Sequence, residues 1–371
     1  MNNPRYSFEG QEELISPQLV VYPAIIRENL KKMIAHAGGA HRLWPHLKTH
    51  KMEAVLRIHM ELGISRFKCA TIAEAEMAAA TGATHLILAY PLVGPNIRRF
   101  ITLVKTFPNT EFFAIGDDTH QITLLGQAAQ EAGIRCNVLL DADMGQHRTG
   151  VAPKRISPLY RSWATLPGIR MRGMHCYDGH RHESDRGERE NAVREVDTTL
   201  EELKESLLEK GLDCNLMVMG GTPSFPCHAE ITGEFLSPGT CVLQDAGYQA
   251  AYPDLDFVPG AAVLTRVVSR PSRDTFTLDM GVKAVASDPS GERAVLVGME
   301  YARTVTHNEE HWVVRVPEEH IGDIPPIGTE MFAIPTHVCP TSALYPSVPA
   351  VENGQITAWW SVTARDRKLT I

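Results

Sequence analysis

The chain has 371 residues and a formal net charge of −8, with hydrophobic residues at 43% and charged residues at 22%. That is the composition of a globular protein with material for a sizeable core, and its negative balance argues against nucleic acid and anionic membrane as partners. No apolar run approaches the roughly 18 residues of a membrane span, the start Met1-Asn2-Asn3-Pro4-Arg5-Tyr6 lacks the apolar stretch of a signal peptide, and seven cysteines scattered without a CxxC pair fit a reducing cytoplasm.

Residues 19–22 predict a strand and 24–37 a helix. A short apolar run at 43–45 precedes a helix over 51–62. Strand 66–69 precedes helix 72–80, strand 85–90 precedes helix 96–105, and strand 111–115 precedes helix 121–132. Strands follow at 136–140 and 169–175, then the long charged helix 186–210, then a strand at 215–219. Eight strand candidates separated by helix-length segments imply parallel pairing with right-handed crossovers. The spacing is that of a (β/α)8 TIM-type barrel, with a doubly wound open sheet as the alternative. After about Pro253 the texture changes to β-rich runs at 262–269, 275–279, 294–297, 312–316, 331–334 and 356–362, separated by turn formers such as Asp288-Pro289-Ser290-Gly291 and Glu352-Asn353-Gly354. This predicts a second, mostly antiparallel β domain. The expected division is a barrel over 17–254 and a β domain over 255–371, with 1–16 joining the latter.

Five stretches have residues suited to chemistry. Pro45-His46-Leu47-Lys48-Thr49-His50-Lys51 falls at a strand end, where barrel enzymes keep their chemistry. A lysine amine there becomes a nucleophile when burial or neighbouring cations lower its pKa, although a solvated basic turn would carry the same residues. In Asp141–Gly150, Arg148 offers a planar fork for a phenolate or carboxylate, and an ordinary acidic loop is the alternative. His175-Cys176-Tyr177-Asp178-Gly179-His180 closes a further strand and reads equally as a polar turn. Gly220-Gly221-Thr222-Pro223 follows the eighth strand candidate, and Ser237-Pro238-Gly239-Thr240 comes later; glycine turns there suit a phosphate. His337-Val338-Cys339 in the β domain, read as an extended strand, puts an imidazole and a thiolate on one side, a pair that suits zinc or a small core cluster.

In this order, these pieces resemble the D-threonine aldolase / D-serine dehydratase family of fold-type III pyridoxal-phosphate (PLP) enzymes, which share the alanine racemase-like barrel. The likeness runs along most of the chain; its most specific parts are the Pro-His-x-Lys-Thr-His-Lys run at 45–51 and His337-Val338-Cys339-Pro340-Thr341. It implies a PLP- and divalent-metal-dependent lyase (zinc or manganese) acting on a small D-3-hydroxy amino acid, as a homodimer. Lys48 matches the Schiff-base lysine, Arg148 the arginine at the PLP ring oxygen and Tyr177 the tyrosine at the cofactor ring. Gly221, Thr222, Gly239 and Thr240 resemble the phosphate cup, and His337 with Cys339 resembles the metal pair of the dehydratase branch. Thr336 stands where relatives often have Asn, Pro346 where an acidic residue often follows, and Tyr22 where many have Asp. A carboxylate is usual in aldolases where Cys339 sits, so the thiol tilts the expectation towards dehydration. The alternatives are a metal-independent racemase, with Tyr248, Tyr301 or His311 as its second base, and a non-enzymatic PLP carrier, which would lack the β domain.

Overall fold

The computed structural model describes residues 5–230 and 234–371. The chain forms two compact units. One gathers the chain up to Leu30, Thr49–Val55 and Thr240–Arg365; the other gathers Lys31–Lys48, Leu56–Gly239 and Asp366–Ile371.

The second of these is the barrel. Seven parallel strands pair in chain order: Arg66–Cys69, His85–Leu88, Glu111–Gly116, Cys136–Asp141, Ile169–Cys176, Leu216–Met219 and Phe235–Leu236. The ring is closed by a short eighth stave. Leu43 bridges Leu236 and His46 bridges Lys68, both in parallel. The Trp44, His46 and Lys68 amides donate to the carbonyls of Leu236, Pro238 and Pro45 at 2.7, 2.8 and 2.9 Å. These strands are nearly continuous apolar runs because helices cover one face and the barrel interior the other. The helices begin where side chains satisfy their free amides: Thr71 accepts from the Glu74 amide, Asp118 from Gln121 and Asp185 from Glu188. Helix Pro153–Trp163 was not expected, since Pro158 inside it argues against a helix, but Pro153 at its first turn gives up no bond.

Eight staves are present, with one change of membership. The strand expected over 19–22 as the first barrel stave is Gln18–Val21 of the other sheet, and Phe235–Leu236 takes the vacant place. A strand followed at once by a Pro-initiated helix (Pro23–Ala37) has the local pattern of a barrel unit; only its long-range partners distinguish it. The motif 220–223 therefore follows the seventh stave and 237–240 the eighth, the two positions where barrels most often hold phosphate.

Gly173 marks a close approach. The pairing of Cys136–Asp141 with Ile169–Cys176 slips by one residue between Val138 and Leu139, a bulge that leaves Gly173 at φ +153°. A Cβ there would lie 1.7 Å from the Leu216 carbonyl oxygen of the next strand. Gly173→Ala is expected to cost about 2 kcal/mol or more, read as a lowered urea midpoint; an unchanged midpoint would contradict this geometry.

The other unit is built on a nine-stranded, mostly antiparallel sheet. Gln18–Val21 lies within it, antiparallel to Ala261–Ser272 (Val20 opposite Ala262) and parallel to Ser347–Glu352 (Val21 opposite Ala350). Tyr6, Phe8, Val20, Tyr22, Leu264 and Phe332 form its buried core. Two of its strands were not foreseen. Ser347–Glu352 carries Pro349, which argues against a strand, and Arg303–His307 is largely solvent-facing and polar.

Candidate active site

In the barrel unit, the expected residues stand at strand ends. Lys48 lies in a one-turn 3-10 helix, Leu47–Thr49, directly after the closing stave, and is half-buried. Its Nζ is 5.8 Å from the Tyr177 ring centroid. The guanidinium of Arg148 reaches the same ring at 5.4 Å, and Nζ of Lys68 at 5.1 Å. Sequence reasoning missed Lys68. In Arg66-Phe67-Lys68-Cys69 it looks like the solvent face of a strand, yet it is 1% exposed and its Nζ donates to Ser237 Oγ at 2.5 Å. Burial, with the neighbouring charge of Lys48, lowers its pKa to about 7 against the pull of Asp178 and Asp141.

The sign of that shift gives a test. A lysine whose folded pKa lies below its unfolded value binds protons less readily in the native state, so its charge destabilises the fold most at and below pH 7, and the penalty fades as pH rises towards the ordinary lysine range. Lys68→Met in cofactor-free protein is therefore expected to raise the urea midpoint at pH 7 and to lose most of that gain near pH 10. A gain independent of pH would refute the burial of a titrating amine.

Asp141 accepts from His175 Nδ1 at 2.7 Å and from Thr149 Oγ1 at 2.8 Å. Burial pulls the His175 pKa down against this carboxylate, and its Nε2 has no hydrogen-bond partner among the described residues. Gly220 turns the chain at φ +74°, and a Cβ on Gly221 would stand 3.2 Å from Tyr177 Cε2, so the glycines let backbone approach the ring. The Gly221 amide donates to Ser224 Oγ at 3.1 Å and the Gly239 amide to Thr222 Oγ1 at 3.3 Å, so the turns expected to cup a phosphate are braced by hydroxyls. The set fits PLP: an amine beside a phenol ring, further cations for its anionic oxygens, a buried imidazole nitrogen still to be satisfied, and glycine turns after staves seven and eight.

The β unit holds His337 and Cys339. They do not lie on an extended strand as expected: His337 caps the short helix Val338–Ser342, and Cys339 lies in its first turn. The side chains still meet, since Cys339 hydrogen-bonds the imidazole. Burial disfavours the imidazolium, but Cys339 and Asp288 outweigh it and raise the His337 pKa to about 9. Asp288 accepts from Nδ1 at 2.5 Å, which leaves Nε2 as the nitrogen to meet a metal, as in carboxylate-supported metal-binding imidazoles. Asp288 was missed because it sits in a run read only as a turn. Cys339 Sγ is 3.2 Å from Thr49 Oγ1 and 3.4 Å from Thr240 Oγ1. Thr240, expected in the phosphate cup, thus has its hydroxyl at this sulfur, because the chain enters the β unit there. Buried Asp245 accepts the Val338 amide at 3.1 Å and fixes the turn. Among the described residues no three His, Cys, Asp or Glu side chains are grouped to hold an ion. Two ligands with an aimed imidazole suit an open, catalytic type of metal position rather than a closed structural one. Of the residues weighed as a racemase base, Tyr301 is stacked on His320 at 3.6 Å and donates to Asp323 at 2.8 Å.

Comparison with known proteins agrees with this geometry. The family described as "Alanine racemase, N-terminal domain" matches residues 22–246, and "Putative serine dehydratase domain" matches 260–351. A D-threonine aldolase from Arthrobacter sp. is 29% identical over 94% of this chain and 92% of that protein. The D-threonine aldolase structure from Filomicrobium marinum superposes with a TM-score of 0.87 at 27% identity, covering 95% of this chain and 96% of that one. The D-threo-3-hydroxyaspartate dehydratase from Delftia sp. HT23 superposes with a TM-score of 0.84 at 21% identity over 95% and 98%, which speaks for the fold. The chain belongs to the alanine racemase N-terminal-domain family of PLP barrels, in the D-threonine aldolase / D-serine dehydratase group.

Proposed function

We propose that this protein uses Lys48 with PLP, and His337 with Cys339 and a divalent metal, to break a bond of a D-3-hydroxy amino acid. The enzyme is a PLP-dependent lyase. The observation that carries the reading of the site is the convergence of Lys48, Lys68 and Arg148 on the Tyr177 ring at the barrel's strand ends. D-threonine, D-serine and 3-hydroxy-D-aspartate are the substrates indicated by the names of its relatives.

PLP supplies an electron sink for charge developing at the substrate α-carbon, and a metal supplies a Lewis acid for the 3-hydroxyl oxygen. The chain's own groups do the rest. Lys48 would hold the cofactor through its amine, and that amine, once free, would take the α-proton of the substrate. Arg148 and Lys68 would hold anionic oxygens, and Tyr177 would stand at the cofactor ring as a neutral partner. Loss of the α-proton and the 3-hydroxyl gives an enamine that hydrolyses to a keto acid and ammonia. Deprotonation of the 3-hydroxyl instead splits the Cα–Cβ bond into glycine and an aldehyde. Cys339 favours the first course, and the extended likeness to D-threonine aldolases favours the second. Product analysis with D-threonine decides: 2-oxobutyrate and ammonia mean dehydration, glycine and acetaldehyde mean aldol cleavage, and release of neither a keto acid nor glycine from any of the three substrates overturns the reading.

The reading includes a homodimer in the cytoplasm. Trp359, 53% exposed on the edge strand Gln355–Ser361, supports a subunit contact. None of the seven cysteines forms a disulfide, in keeping with a reducing compartment. No helix among the described residues is long and apolar enough to cross a membrane.

A further inference from the structure

Behind the Tyr177 strand end lies a buried chain of polar groups for which the chemistry above has no use. His228, 1% exposed, ends the short helix Phe225–His228. Its Nε2 donates to Asp178 Oδ2 at 2.9 Å and its Nδ1 to Asp197 Oδ1 at 2.7 Å. Both carboxylates are 2% exposed. Carboxylates at both ring nitrogens require both to carry hydrogen, which is the imidazolium. Asp178 also accepts from Ser224 Oγ at 2.8 Å, and that same Oγ accepts the Gly221 amide at 3.1 Å. An unbroken path therefore runs from helix Arg186–Glu209, which carries Asp197, through His228, Asp178 and Ser224 to the glycine turn. Asp178 is also the residue next to Tyr177.

We propose that His228 is a positioning residue for the cofactor phosphate: as an imidazolium clamped between Asp197 and Asp178, it fixes Asp178 and Ser224, and through them the Gly220-Gly221-Thr222 turn that receives the phosphate. The inference rests on the reading of that turn as the phosphate site. The span from strand end to turn is otherwise irregular backbone; a hydroxyl accepting its central amide sets its shape, and an ion pair out of water holds that hydroxyl far more firmly than a neutral contact would.

The titration behaviour agrees. Burial opposes the charge on His228, but Asp178 and Asp197 overcome it and raise its pKa to about 9. Burial likewise opposes the charge on Asp178, and His228 with Ser224 holds its pKa below the usual carboxylate range. The largest charge effects on His228 come from these two aspartates; Arg189, also on the long helix, acts on Cys227 and donates to the Glu183 carbonyl at 2.8 Å. A histidine with a raised folded pKa gives its full contribution below its ordinary value and loses it as pH rises through about 9.

The test is the dissociation constant of pyridoxamine 5′-phosphate, which binds without a covalent bond to Lys48, for cofactor-free full-length protein between pH 7 and 10. Wild type is expected to weaken by about tenfold as pH passes 9. Asp197→Asn, nearly isosteric and remote from the turn, should move that midpoint to lower pH. Ser224→Ala, which leaves His228 between its carboxylates, should bind weakly throughout and lose the fall near pH 9, keeping only the change that Lys68 brings nearer pH 7. Variant profiles with the wild-type shape and midpoint would overturn the proposal, even if both variants are less stable, since general loosening lowers affinity without moving a midpoint. Absence of saturable binding in wild type would instead remove the phosphate reading itself.

Discussion

Lys48→Ala is expected to eliminate the visible cofactor band and to lower turnover by on the order of 10³-fold or more, while the protein stays folded. The side chain stands half-buried on a one-turn helix after the closing stave, outside the buried core, so its removal leaves the barrel intact. The amine serves both to hold the cofactor and to take the α-proton, and loss of a group with two such roles is of that size. The absorbance spectrum and the rate must fall together. A normal band in the variant would return Lys48 to an ordinary basic turn and pass the tether to Lys68.

Metal removal is the second large effect. Chelation with EDTA, or His337→Ala, is expected to stop product release while the cofactor band remains, because the band depends on the barrel unit and the metal pair lies in the other. Asp288→Ala should weaken metal binding by about 10–100-fold, since Asp288 fixes which imidazole nitrogen is offered and in what direction. Metal content of the purified protein and its activity in metal buffers read both. Full product formation in EDTA would leave His337 and Cys339 a structural pair, and racemisation alone surviving in EDTA would favour the metal-independent racemase.

The fold was legible where it depends on period and length. Parallel strands buried on both faces read as continuous apolar runs, as Leu216–Met219 does, and the glycine-rich ends of such runs mark a barrel mouth. Membership of a sheet was not legible, because Gln18–Val21 looks the same locally whether its neighbours are barrel staves or strands some 240 residues away. Candidate residues that sit in unusual runs, such as Lys48 and His337, were visible as candidates in the sequence. Lys68, Asp288 and His228 did not, because each gains its role from burial or from a partner that no local pattern encodes. The Thr240 hydroxyl, at 3.4 Å from Cys339 Sγ, was not legible for the same reason: a Gly-Thr pair shows a phosphate-binding shape but not which wall its hydroxyl will face.

The position of Gln18–Val21 within the antiparallel sheet also governs how the molecule is made. That segment leaves the ribosome before the barrel does, and the strands on either side of it, Ala261–Ser272 and Ser347–Glu352, leave after the barrel. The barrel can close during synthesis while an apolar ribbon of Leu19, Val20 and Val21 waits without a sheet. Any fragment starting at Thr240 lacks the strand at the middle of its sheet, and any fragment ending at Gly239 exposes that strand bare. In chain order the barrel unit thus lies between strands of one sheet, so a cut on either side of the barrel separates strands that pair with each other.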